Sequence, residues 1–258
     1  MTATEYIVNG QHGAALALDD PALWSGLGVF ETLRTAGGRV FRLDAHLDRL
    51  ARSAAWMRWS WDRAAVTSEL LALAGTPGVD LKLNVLLTPG QRIVSRTPLD
   101  ATRVGAPVRC ATVPAQPAAS LPGFVKHTSR APWILAVRAA AERLAEPVDE
   151  VIFVDSDGTW LEANRSNVLA VRSGGVYTPP VDGRILEGVT RAFALEAAAA
   201  LGVAVHEGPL APAGWDELYL CSTLKDLAPV ERLDARLAPG AGPVGAAIQR
   251  EMGRVRGG

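Results

Sequence analysis

Three of the 26 basic residues in this 258-residue chain are lysines: Lys82, Lys126 and Lys225. A lysine amine works as base or nucleophile when its surroundings favour the neutral form. Lysine chemistry here therefore has three places to occur. Lys126 begins Lys126-His127-Thr128-Ser129-Arg130, just after a stretch rich in Pro, Ala, Ser and Gly. One carboxylate, Glu162, follows the turn dipeptide Asp157-Gly158. Gly188-Val189-Thr190 and Ser222-Thr223 bring small and hydroxyl residues to a helix start and a loop. N–H groups in a helix's first turn lack intrahelical partners, and the helix dipole favours negative charge there. Gly188-Val189-Thr190 is thus an anion site or a plain cap. Other chemistries lack their signatures. There is no G-x-S-x-G elbow and no G-x-x-x-x-G-K-[ST] loop. Gly26-Leu27-Gly28 begins like a dinucleotide fingerprint, but Glu31 stands at the third glycine position. His12, His46, His127 and His206 form no i, i+4 pair, so no metal site is expected.

The elements that must hold these residues follow from alternation and turn signals. Glu5–Val8 alternates and stops at Asn9-Gly10. Val29–Thr35 and Arg39–Leu43 read as a hairpin around Ala36-Gly37-Gly38, and Asp44 can then cap a helix with Leu47, Leu50 and Ala54 on one face. A second helix is expected over Arg63–Ala74, and strands over Leu81–Leu87 and Val108–Val113. Pro114 to Gly123 has no periodicity, which places a domain boundary near residue 118. The expected domains are 1–117 and 118–258. Beyond the boundary, a helix over Pro132–Ala145 precedes two hairpins, Val151–Val154 with Thr159–Leu161 and Val168–Val171 with Val176–Tyr177. Helix Val189–Leu201, strand Glu217–Cys221 and helix Val244–Val255 complete the chain. Strands and helices in mixed order, with antiparallel hairpins, predict an α+β protein of two domains.

Composition narrows the function classes. Lys+Arg of 26 against Asp+Glu of 27 gives a net charge of −1, unlike a phosphate-neutralising nucleic-acid binder. Hydrophobic residues at 48% exclude a disordered chain. Cys110 and Cys221 make no disulfide framework. No apolar run reaches the roughly 18–20 residues of a membrane helix. MTATEYIVNG carries no secretory signal pattern, so a cytoplasmic protein is expected.

Taken in order from Gly26 to Val230, these residues resemble the fold type IV family of pyridoxal-phosphate (PLP) enzymes. That family holds branched-chain and D-amino-acid aminotransferases and 4-amino-4-deoxychorismate lyases. Gly28-Val-Phe-Glu-Thr-Leu-Arg34 and His46-Leu-Asp-Arg49-Leu50 match its N-terminal motifs. The resemblance gives Arg49 to the cofactor phosphate, for which a guanidinium fork is suited. Phe124-Val-Lys126-His-Thr-Ser-Arg130 resembles the K-x-x-[NS] segment, making Lys126 the Schiff-base lysine. Lys82, in an alternating strand, and Lys225, in a loop, are the poorer choices. Glu162-Ala-Asn-Arg-Ser-Asn167 resembles E-G-x-x-[SA]-N, whose glutamate pairs with the pyridine nitrogen. Arg184-Ile-Leu-Glu-Gly188-Val189-Thr190-Arg191 resembles G-I-L-P-G-I-T-R, and Cys221 to Val230 resembles T-N-S-x-x-G-V-x-P-V. These add Gly188, Val189, Thr190 and Thr223 to the cofactor set.

The chain departs from the family in four places, one being Thr88-Pro-Gly-Gln-Arg92-Ile-Val-Ser-Arg96, which lacks the R-G-x-x-x-R-G-Y form of many members. Ser25-Gly26-Leu27-Gly28 replaces [YF]-G-D-G, Ala163-Asn164 replaces Gly and Ser/Thr, and Asp226-Leu227 replaces G-V. Phe30, Arg92, Arg96 and Arg130 are the substrate-side candidates, the arginines for a carboxylate. The resemblance implies a cofactor between two domains, a small-molecule amine substrate and a homodimer. The Lys126-His-Thr-Ser-Arg130 variant points to 4-amino-4-deoxychorismate lyase. The alternative is a class IV aminotransferase for branched-chain or D-amino acids.

Overall fold

A computed structural model describes residues 4–13, 15, 17–75, 78–115 and 121–257. The chain forms two compact units. The first runs to Asp100 and takes in Val125–Arg130; the second is built from Ala101–Phe124 and Ala131–Arg256.

The first unit contains β1 (Glu5–Val8), β2 (Gln11–His12), α1 (Pro21–Ser25), β3 (Val29–Ala36), β4 (Arg39–Val40), α2 (Leu43–Trp56), α3 (Arg63–Ala74), β5 (Leu81–Leu87) and β6 (Arg92–Pro98). Its described strands make one antiparallel sheet in the order β2-β1-β6-β5-β3-β4. Strict alternation in β5 buries Leu81, Leu83, Val85 and Leu87, while Lys82 lies half-buried on the other face. The helix-side face is covered by α2 on β3 and by α3 on β5 and β6. Leu47, Leu50 and Ala54 are buried as their spacing predicts. Each such leucine contributes roughly 1.5–3 kcal/mol by leaving water. The start of α2 differs from expectation. The strand expected to reach Leu43 stops at Val40, and Arg42, at φ 53°, turns the chain straight into the helix. Asp44 therefore sits in the first turn, where it favours the dipole without capping.

The second unit contains β7 (Val108–Pro114), α4 (Ala131–Leu144), β8 (Glu150–Val154), β9 (Trp160–Ala163), β10 (Asn167–Arg172), β11 (Gly175–Thr178), α5 (Val189–Ala200), β12 (Val205–Glu207), β13 (Glu217–Ser222), β14 (Asp226–Leu233), β15 (Arg236–Leu237) and α6 (Pro243–Gly257). Its mixed sheet runs β12-β11-β10-β13-β14-β7-β8-β9, with β15 on β14. A further pairing, Asn167 with Glu162, joins β10 to β9. Six strands thus close into a ring around Cys110, Ile152, Trp160, Leu210, Leu218 and Val230.

The α+β class holds. The boundary near residue 118 lies outside the described residues. On the described chain the division falls after Asp100, because β7 pairs in parallel with β8 and β14 of the second sheet. Lys126, expected in the C-terminal domain, belongs to the first unit, where the Phe30 N–H donates to its carbonyl and His127 bridges Val29.

Candidate functional site

In the first unit, the segment after Val125 is stitched to the start of β3. The Phe30 N–H donates to the Lys126 carbonyl at 3.0 Å, and the Thr128 N–H donates to Gly28 at 2.9 Å. The Thr128 and Ser129 hydroxyls donate to the Gly26 carbonyl at 2.7 and 2.9 Å. The Lys126 N–H reaches Ser53 Oγ on α2 at 3.1 Å. Glycine at 28 allows this approach, since a Cβ there would stand 2.9 Å from Thr128 Oγ1 and 2.8 Å from Leu86 Cδ1. The departure Ser25-Gly26-Leu27-Gly28 is thus matched by the hydroxyls that bond to it.

Lys126 is half-buried, with Nζ 4.8 Å from the Phe30 ring centroid. The Arg130 guanidinium carbon lies 5.6 Å from the same centroid. Both distances suit a cation–π contact. Phe30, Lys126 and Arg130 are therefore brought together. Arg92 and Arg96 are not. Cross-strand register puts Arg92 opposite Leu87, which is opposite Val29, on the helix-side face; Phe30 faces the other way. Arg92 forks onto Glu69 of α3 at 2.8–3.0 Å. Arg96 donates to the Leu73 carbonyl at 2.9 Å and to Glu5 at 2.5 Å.

Arg49 is buried on α2, and its Nε and Nη2 meet the two oxygens of Glu31 at 2.7 and 2.8 Å. His46 Nδ1 lies 2.8 Å from Glu31 Oε2. Burial would raise the Glu31 pKa, but the charge and hydrogen bonds of Arg49, with His46, hold it well below the usual carboxylate range. Burial lowers His46, against the pull of Glu31, and the charges of Arg49 and Lys126 add to that lowering. A neutral His46 donates through Nδ1. Sequence reasoning missed Glu31 and His46. The available signal was a carboxylate on the buried face of an alternating strand, which requires a cation.

In the second unit, Glu162, the next-to-last residue of β9, lies opposite Asn167. Its Oε2 accepts from Asn167 Nδ2 and from the Leu186 N–H, both at 3.1 Å. Asn167 Nδ2 also donates to the Leu186 carbonyl at 2.9 Å. Asn164, a departure from the family motif, keeps the turn in place by exchanging bonds with Val151 at 3.0 Å in both directions. Asn167 was quoted in the motif but not singled out, and it is the residue that fixes the carboxylate. Gly188 is the N-cap of α5, with no side-chain cap, and Val189 and Thr190 follow it, buried. Thr223 is half-buried in the turn joining β13 to β14.

The other motif residues are structural. Arg191 donates to Thr178, Pro179 and Glu207. Asp226 adopts the left-handed φ of 54° that the family's glycine suits, and Arg256 holds it with two bonds of 2.6–2.7 Å. Lys225 is buried against Glu150, which removes it from the choice of reactive lysine. Among the described residues, no cluster of His, Cys, Asp or Glu could hold a metal ion, and no helix is long and apolar enough to cross a membrane.

Three features suit PLP. Lys126 offers an amine beside an aromatic face. Glu162 is a carboxylate oriented by two donors to one oxygen. The first turn of α5 has no capping side chain, as an anion-binding turn requires.

Comparison with known proteins agrees. The family described as "Amino-transferase class IV" matches residues 28–233. A probable branched-chain-amino-acid aminotransferase of Thermotoga maritima is 31% identical, covering 80% of this chain and 77% of its own. A bifunctional aminodeoxychorismate lyase / D-amino acid transaminase of Mycobacterium tuberculosis is 28% identical, covering 87% and 88%. Among solved structures, the PLP-bound form of a hypothetical aminotransferase from Mycobacterium tuberculosis superposes with a TM-score of 0.84 at 26% identity, covering 97% of this chain and 98% of that one. The chain belongs to the class IV aminotransferases, a family of PLP-dependent enzymes.

Proposed function

We propose that the chain is a PLP-dependent lyase that converts 4-amino-4-deoxychorismate into 4-aminobenzoate and pyruvate. The observation that carries this reading is Lys126 and Arg130 set over one Phe30 ring. It places a proton-moving amine beside a guanidinium suited to a substrate carboxylate. Likeness to the Mycobacterium tuberculosis lyase/transaminase supports it.

The cofactor, when bound, would supply an electron-accepting ring. Glu162, steadied by Asn167 and the Leu186 N–H, would hold the pyridine N–H. The Val189 and Thr190 N–H groups with the Thr190 and Thr223 hydroxyls would hold the phosphate, a role the family resemblance also gives to Arg49. Arg130 binds the substrate carboxylate. Lys126 Nζ takes the proton from the amine-bearing carbon. The bond from the ring to the ether oxygen breaks with its electron pair on oxygen, the ring becomes aromatic, and the enolpyruvate released takes up a proton, available from the Lys126 ammonium, to become pyruvate.

A second reading, an aminotransferase for branched-chain or D-amino acids, is supported by the Thermotoga maritima relative. There Lys126 returns the proton and a keto acid leaves. Both readings use the same residues.

The test incubates PLP-loaded protein with 4-amino-4-deoxychorismate and follows 4-aminobenzoate and pyruvate. Equimolar products, absent in Lys126→Ala, are expected. A PLP-loaded protein that gives neither product but transaminates amino acids would replace the lyase with the second reading. Borohydride should fix the cofactor to the wild type and not to Lys126→Ala. A homodimer is also proposed, with a light-scattering mass twice that of one chain as its check.

A further inference from the structure

We infer that the buried Glu150–Lys225 pair is a positioning device that registers the Glu162 hairpin with the Thr223 turn. The inference rests on the PLP reading and assigns roles to two residues outside that proposed site.

Glu150 begins β8 and is fully buried; Lys225 is buried as well. One Glu150 oxygen, Oε1, accepts from Lys225 Nζ and from Ser166 Oγ, the latter at 3.0 Å. The other, Oε2, accepts from the Arg165 N–H at 3.2 Å. Arg165 and Ser166 lie in the turn that carries the chain from Glu162 to Asn167, and the Ala163 N–H closes that turn on the Ser166 carbonyl at 2.7 Å. Lys225 is the last residue of the turn holding Thr223. Its N–H donates to the Ser222 carbonyl at 3.1 Å, and its own carbonyl accepts from Gly105 at 2.7 Å. A single carboxylate therefore grips two turns from different hairpins. One turn carries the carboxylate proposed for the pyridine nitrogen, the other the hydroxyl proposed for the phosphate.

Stability alone does not account for such a pair. Removing two charges from water offsets their attraction, and well-packed apolar substitutes are often neutral or better. An apolar pair would fill the space without fixing the direction of either turn. Geometry is what the ion pair adds.

The variants are the double substitution Glu150→Gln/Lys225→Met and, separately, Ser166→Ala, which leaves the ion pair intact. Melting temperature is measured on the protein without added cofactor. Dissociation constants for PLP and for pyridoxal, which lacks the phosphate, are measured by absorbance. The double variant should melt within a few degrees of wild type and bind PLP at least tenfold more weakly. Its preference for PLP over pyridoxal should shrink, which a general loosening would not produce. Ser166→Ala should weaken PLP and pyridoxal alike, by threefold or more. PLP affinity within twofold of wild type in a normally melting double variant would overturn the inference. If the double variant does not fold, the same result in Ser166→Ala overturns it. A wild type that binds PLP no better than pyridoxal would overturn the phosphate-site reading itself, and the inference with it.

Discussion

Gly188→Ala should damage the second unit through one contact. The glycine backbone, at φ −72° and ψ 123°, is open to any residue, so no conformational strain is involved. A Cβ at this position would stand 1.9 Å from Asn167 Oδ1, and ordinary contact begins at 3.4 Å. The Asn167 amide must therefore move about 1.5 Å, the difference of those distances. That displacement breaks its bonds to Glu162 Oε2 and to the Leu186 carbonyl. A bond to a charged group is worth about 1.5–3 kcal/mol and a neutral one about 0.5–1.5, so the loss is roughly 2–4 kcal/mol. For a protein of this size that lowers Tm by about 10 °C. Gly253→Ala is the control, since a Cβ there meets nothing within 4 Å and α6 should gain helix propensity. Differential scanning calorimetry on Gly188→Ala, Asn167→Ala and the double variant decides the matter. If the clash is the cause, the double variant is no less stable than Asn167→Ala. Additive losses would refute the reasoning.

Three further outcomes are expected. The folded pKa of Glu31 lies below its unfolded value of 4.5, so its stabilisation is complete above that pH and is lost as pH falls toward the folded value. Glu31→Gln, which leaves Arg49 buried without its counterion, should cost about 3–5 kcal/mol at pH 7 and flatten the fall of Tm between pH 5 and 3. Thr128→Val should lose the hydroxyl bond to Gly26, at about 1 kcal/mol, and lower kcat more than Thr128→Ser does, as steady-state kinetics would show. Burial pushes the Cys221 thiol up to about 12, and burial with the Glu150 charge raises Cys110 well above its usual value. Neither should react with a thiol reagent at pH 8 until the protein unfolds.

The strongly periodic elements were legible in the sequence. β5 and α3 fall at the expected residues, and α5 begins at Val189 as its Gly188 start implied. Strand β6, Arg92–Pro98, was not recognised, because Arg92, Ser95 and Arg96 break its apolar pattern. Register then turns Arg92 and Arg96 toward the helices, which spacing along the chain cannot reveal. Motif matching singled out Lys126, Glu162 and Gly188 because each stands in a run of characteristic residues adjacent in the chain. It did not reveal the long-range pairs: Glu31 lies 18 positions from Arg49, and Lys225 lies 75 from Glu150. Such pairings are set by sheet order, not by local pattern.

The return of Val125–Arg130 to the first unit has a consequence for inheritance and for protein engineering. The polypeptide passes from one unit to the other at Asp100, Phe124 and Arg130. A gene fragment ending at Asp100 would encode the first sheet without Lys126. A fragment beginning at Ala101 would encode the lysine without the strand and helix that hold its backbone. Neither piece carries all of these bonds by itself, so a chimera joined at Asp100 keeps them only where the relative supplies equivalent partners for Phe30 and Ser53. Lys126 and its aromatic neighbour Phe30 keep their native partners when exchanged together as one continuous stretch from Val29 to Arg130.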